Sequence, residues 1–130
     1  MKFYIASSFK NIGLVRKLAG ELRAENHIHT YDWTKNSRAA SFSELKRIGE
    51  EEKQAVWESD VFILILPGGK GSHIELGMAI GQGKQIWLYS PPDDASFSPE
   101  NSSTFYHLSE VQRFRGSFAD FIQHIKNESA

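Results

Sequence analysis

Cysteine is absent from the 130 residues, which rules out a disulfide framework, a thiolate metal site and a cysteine nucleophile together. Net charge is nearly absent as well: 15 Lys and Arg stand against 16 Asp and Glu, leaving −1. So balanced a chain does not hold nucleic acid by phosphate electrostatics, whereas a small anionic ligand needs only a few placed donors. Long apolar runs are missing too. The longest, Val61 to Leu66, falls far short of a membrane span, and the opening stretch Met1 to Ala6 is too short for a secretory signal. A cytoplasmic protein without a membrane partner is therefore expected. The five histidines (His27, His29, His73, His107, His124) show no metal-ligand spacing, and no His-Glu-x-x-His pattern exists. Neither a metal nor another cofactor is predicted.

What is present suffices for a folded core. Hydrophobic residues make up 40% of the chain and aromatics 12%, a composition that excludes disorder. The length fits one domain over residues 1–130. Phe3 to Ala6 reads as a first strand. Ile12, Val15, Leu18, Ala19 and Leu22 then recur at helical spacing, and Asn26 closes that helix. His27 to Asp32 alternates like a second strand, and residues 33–40, with Lys35 and Arg38, form a polar surface loop. Ser41 or Ser43 caps a charged helix running to about Glu58, whose thin apolar face is Leu45, Ile48, Ala55 and Val56.

Val61 to Leu66 has the continuous apolar character of a central strand covered on both faces. Pro67 to Gly71 breaks regular structure. Ser72 caps the next helix, Gly83 terminates it, and Gln85 to Tyr89 forms a further strand. Ser90 to Ser103 is a Pro-, Ser- and Asp-rich loop. A strand around Thr104 to Leu108 and a helix from about Ser117 to Lys126 complete the chain. Alternating strands and helices predict an α/β fold, a single doubly wound, flavodoxin- or Rossmann-like domain with a five-stranded parallel sheet. Ligands of such folds bind beyond the carboxyl ends of the strands. That rule selects the loops Ser7–Asn11, Pro67–Ser72 and Ser90–Ser103.

The strongest local signal is Pro67-Gly68-Gly69-Lys70-Gly71-Ser72-His73-Ile74-Glu75-Leu76-Gly77. Glycines allow the backbone close to a ligand, and a helix start with its free N–H groups favours an anion. It is not a Walker loop, because no Gly-Lys-Ser/Thr follows at the required spacing. Glu75 is placed in the first turn, facing the cleft, where the helix start favours its ionised form. Spacing alone leaves two readings open there: a nucleophilic or electrostatic carboxylate, or the closing residue of a capping box with Ser72. Ser7-Ser8-Phe9-Lys10 likewise opens a helix after a strand, and Ser8 and Lys10 are either phosphate donors or an ordinary cap and a solvated lysine. Of the acidic run Glu50-Glu51-Glu52, one residue could reach the cleft, although such runs commonly form a solvated face. His73 reads as a surface residue. Trp33, Trp57 and Trp87 read as core or subunit-contact residues, and Tyr4 as a core residue whose hydroxyl can reach the cleft.

Tyr4-Ile5-Ala6-Ser7-Ser8-Phe9-Lys10, then Ser59-Asp60-Val61, then Gly71-Ser72-His73-Ile74-Glu75-Leu76-Gly77, together resemble the nucleoside 2-deoxyribosyltransferase superfamily. The likeness runs in order over roughly residues 3–90 and is loose beyond them. It is nearer to the 2′-deoxynucleoside 5′-monophosphate N-hydrolases than to the transferases. The resemblance implies that Glu75 is the nucleophile, that Tyr4 orients it, and that Glu52 is the acid assisting base departure or binding a sugar hydroxyl. It implies a substrate-binding surface of Ala6, Ser7, Ser8, Phe9 and Lys10, faced by Gly69, Gly71 and Ser72. The reaction implied is cleavage of the N-glycosidic bond of a (2′-deoxy)nucleoside 5′-monophosphate through a covalent glycosyl-Glu75 ester, on the logic of retaining glycosidases.

Glu52 stands where the family carries an aspartate. Gly69 stands where the transferases carry an acid, which favours hydrolysis over base exchange. The resemblance also implies a homodimer, or a higher homo-oligomer, in which part of Asn101 to Thr104 reaches a neighbouring site. Three other functions fit the same residues: base exchange, cleavage of NAD by a TIR-like domain, and a nucleotide-binding sensor that does not turn over.

Overall fold

In the computed structural model, residues 1–129 are described, and Ala130, the last residue of the expected 1–130 domain, lies outside the described residues. The apolar runs become the strands of a single sheet. Strands β1 (Lys2–Ala6), β2 (Ile28–His29), β3 (Val61–Ile65), β4 (Gln85–Ser90) and β5 (Val111–Arg115) are all parallel. Their order is β2-β1-β3-β4-β5, the flavodoxin-like arrangement, in which the chain reverses direction of growth between β1 and β3. All five residues of β3 are buried, as a strand covered on both faces requires.

Helices α1 (Ile12–Ala24), α2 (Phe42–Glu58), α3 (Lys70–Gly81) and α4 (Phe118–Glu128) supply the crossovers. α1 packs beside α4 and α2 beside α3. The first pair is further joined by Lys126 Nζ, 3.0 Å from Glu21 Oε2. Helix ends follow their local chemistry. Ser41 Oγ accepts from Glu44 N–H at 3.2 Å and Ser117 Oγ from Asp120 N–H at 3.1 Å, each satisfying an otherwise unpaired first-turn donor. At the far ends, Asn26 and Gly83 both adopt a φ of 68°. There the N–H groups of Asn26 and His27 return to Arg23 and Leu22, and those of Gly83 and Lys84 to Ile80 and Ala79.

Three expectations are corrected. The second strand covers Ile28–His29 rather than His27–Asp32, because Asp32 is taken up in capping a short turn: its Oδ1 accepts from Thr34 N–H at 3.0 Å. The fifth strand is Val111–Arg115, and Thr104–His107 is instead a single turn of 3₁₀ helix. Ser103 caps that turn, its Oγ accepting from Phe105 N–H at 3.3 Å. The third correction concerns α3, which begins at Lys70 with Gly69 as its cap and not with Ser72.

Candidate functional site

A cleft of about 1000 Å³ opens beyond the carboxyl ends of β1 and β3, at the point where the strand order reverses. Ser7, Ser8 and Phe9 form one side and Gly69, Gly71 and Ser72 the other, with Glu52 and Glu75 between them. Lys10 and Ala6 do not line it: Lys10 is exposed, and Ala6 is buried in β1 opposite Leu64. The third loop, Ser90–Ser103, does not line it either. It follows β4, one strand removed from the reversal.

The early start of α3 changes what Ser72 and Glu75 do. Ser72 Oγ accepts from Gly69 N–H at 2.7 Å and donates to Gly69 O at 3.1 Å, closing the first turn on itself. Glu75 is then in the second turn, free of any capping box, and is 8% exposed. Tyr4, fully buried in β1, donates its hydroxyl to Glu75 Oε2 and lies 3.3 Å from Glu52 Oε2, which α2 brings in from the other side. One phenol proton and two carboxyls therefore form a single cluster on the floor of the cleft.

Burial sets the charge state of that cluster. Removal from water pushes Glu75 up to about 8; the Tyr4 hydrogen bond opposes this, and Glu52 adds to it by its charge and by a hydrogen bond between the carboxyls. Glu52 is raised by burial as well. Tyr4 is pushed far above the ordinary phenol range, first by burial and then by the two carboxylates, so it stays a donor. The pair thus keeps one proton at neutral pH. The expectation of an ionised Glu75 favoured by a helix start is corrected: the side chain lies past the first turn, where the helix terminus acts weakly, and desolvation dominates.

Local geometry explains the glycines unequally. A Cβ on Gly68 would lie 2.8 Å from Ser72 Oγ and 3.0 Å from Leu64 Cδ1, whereas one on Gly71 would meet nothing within 4 Å. Gly68→Ala should therefore lower stability by about 1–3 kcal/mol through overpacking. Gly71→Ala should leave it unchanged or slightly raised; urea denaturation of the two variants checks this, and equal midpoints would contradict the close approach.

Several wall residues escaped the sequence reading. Residues 36–39, assigned to a surface loop, line the cleft together with Trp33, Leu45, Ile48 and Lys70. Trp33 is buried, its Nε1–H donating to Ile5 O at 2.6 Å, and it holds Phe9 edge-on with ring centroids 5.6 Å apart. Phe9 itself is 71% exposed. The cations at the cleft are thus Arg38 and Lys70 rather than Lys10. Of the donors at the first loop, Ser7 Oγ is spent on Ile65 O at 2.7 Å, while Ser8 Oγ is sheltered from solvent and has no partner among the described residues. His73 is engaged rather than a free surface residue: it touches Gly69 and Tyr106. Trp87 is core and Trp57 is exposed.

A five-stranded parallel α/β domain with a buried carboxyl, Glu75, paired to the half-buried Glu52 at its strand-order reversal is the class these features define. At the level of sequence, no family model and no curated protein matches the chain. Solved structures share its fold. A CMP N-glycosidase from Clostridium botulinum, BcmB, superposes with a TM-score of 0.71 at 17% identity, over 97% of this chain and 99% of that one. A conserved protein from Enterococcus faecalis V583 superposes with a TM-score of 0.69 at 18% identity, over 98% of each chain. No helix among the described residues is long and apolar enough to cross a membrane.

Proposed function

We propose that the protein hydrolyses the N-glycosidic bond of a nucleoside 5′-monophosphate, with Glu75 as nucleophile. The observation that carries this reading is the Tyr4–Glu75–Glu52 cluster, one proton short of neutral, on the floor of a cleft that starts a helix. Glu75 attacks the anomeric carbon as the carbon–nitrogen bond breaks, and its electron pair leaves with the base. The pair's proton, held on Glu75 at rest, crosses the hydrogen bond between the carboxyls to Glu52 as Glu75 attacks, and Glu52 gives it to the departing base. Water, deprotonated by Glu52, then cleaves the glycosyl ester and regenerates Glu75. Tyr4 orients Glu75 throughout.

Glu52 and Glu75 are the only carboxylates lining the cleft among the described residues. With no further acid to hold an incoming base, water is the acceptor and hydrolysis is favoured over base exchange. The free amides at the start of α3, with Ser8, Lys70 and Arg38, suit a 5′-phosphate. The fold shared with a CMP N-glycosidase supports the same substrate class.

The test is release of free base from ribo- and deoxynucleoside 5′-monophosphates, the corresponding nucleosides, and NAD. Monophosphates should be cleaved well ahead of nucleosides. Nicotinamide release from NAD alone, or no base from any compound, would end the proposal.

The active form needs one proton in the pair, so kcat/KM should fall as pH rises through about 8, where Glu75 would release the last one. Tyr4→Phe removes a hydrogen bond that lowers Glu75 and should move that fall to higher pH. Glu52→Gln removes the acid, slows the reaction, and should abolish the alkaline fall. A profile unchanged in both variants would show that the pair does not govern the reaction.

A further inference from the structure

We infer that His73 is a positioning residue: bonded at once to Tyr106 and to Gly69, it sets the first turn of α3 at the rim of the cleft and thereby governs phosphate binding. The inference rests on the nucleotide-hydrolase reading for its kinetic arm and on geometry alone for the rest. Gly69 O lies 2.8 Å from His73 Nδ1. A carbonyl only accepts, so Nδ1 carries the hydrogen, and in the neutral ring Nε2 has the lone pair. Nε2 lies 2.5 Å from the Tyr106 hydroxyl, which is therefore the donor. Burial keeps that phenol protonated across the neutral range.

The anchor for this relay comes from the connection between β4 and β5. Tyr106 is buried in the 3₁₀ turn before β5, with Phe97 edge-on to its ring at 6.3 Å. Its carbonyl accepts from Arg113 Nη1 of β5 at 2.8 Å. At the other end, Gly69 O receives His73 N–H at 3.2 Å and Ser72 Oγ at 3.1 Å besides the imidazole. Three donors on one carbonyl lock the turn. The next amides, Lys70 and Gly71, open the helix and have no partner within it; both residues line the cleft. The segment after β4 thus bears on the site through Tyr106 and His73 rather than by lining it.

Loosening the turn should weaken ground-state binding without altering the Glu75–Glu52 pair. Tyr106→Phe and His73→Ala should each raise KM for the nucleotide by about 5- to 10-fold while kcat changes less than about twofold. The double variant should be no worse than His73→Ala alone, since both substitutions break one chain of contacts. His73→Asn, whose amide can replace Nδ1–H towards Gly69, should restore part of the loss. Independently of any activity, the backbone amide resonances of Lys70 and Gly71 should shift in Tyr106→Phe and stay put in Phe105→Ala, a neighbour 60% exposed. Unmoved Lys70 and Gly71 resonances in Tyr106→Phe would overturn the inference, as would a fall in kcat at constant KM. If the wild type cleaves no nucleotide, the functional proposal fails by itself, and the amide resonances still decide the relay.

Discussion

Glu75→Gln should lower kcat/KM for the nucleotide by at least about 1000-fold, because an amide cannot form the glycosyl ester. Its carbonyl can still accept the Tyr4 hydroxyl, and its volume matches the glutamate, so the floor of the cleft keeps its shape. Binding should persist: the dissociation constant for a nucleoside monophosphate should change by less than about threefold. Base release followed chromatographically and binding followed by calorimetry separate these two effects. Covalency has its own readout. Wild-type protein denatured during turnover should carry the mass of a sugar phosphate on the peptide containing Glu75, and the variant should carry none. Turnover at the wild-type rate in Glu75→Gln would remove the nucleophile from the mechanism.

Much of the scaffold was legible because its signals are local. The buried run of β3, the helical spacing in α1, the serine cap of α2 (read as Ser41 or Ser43, found at Ser41) and the stop at Gly83 each depend on residues within a few positions of one another. β5 was misplaced for a related reason. Val111-Gln-Arg-Phe-Arg115 is an edge strand with charged side chains, while the preceding Thr-Phe-Tyr-His has strand-like composition but is turned by Ser103.

The site was legible in part. The glycine loop and Glu75 stand out in the sequence, but the state of Glu75 depends on Tyr4, 71 positions away, and on Glu52. No spacing rule couples groups that meet only once separate elements have packed together. The same holds for His73, whose partner Tyr106 is 33 positions on. Residues 36–39 resembled a solvated loop because their composition is polar, and only the packing of Trp33 against the end of β1 turns that segment towards the cleft.

The proton that the cluster retains also predicts how stability depends on pH. In the unfolded chain Glu75 titrates near its ordinary 4.5, and in the folded protein at about 8. Below 4.5 both states hold the proton and burial carries no charge penalty. Between the two values the unfolded state releases a proton that the folded state keeps, so stability falls as pH rises. Above 8 both are ionised and the penalty is complete, on the order of 5 kcal/mol. A glutamine at this position has no proton to release. Glu75→Gln should therefore match the wild type near pH 5 and exceed it near pH 9, with a melting temperature higher by about 10 °C or more. Thermal unfolding at the two pH values measures the difference directly. A constant offset between the two proteins would mean that Glu75 titrates as an ordinary surface carboxyl. The substitution expected to remove turnover is thus also expected to stabilise the fold at high pH, because the cost of holding an ionised carboxyl out of water is what raises Glu75 and keeps its proton on the pair at neutral pH.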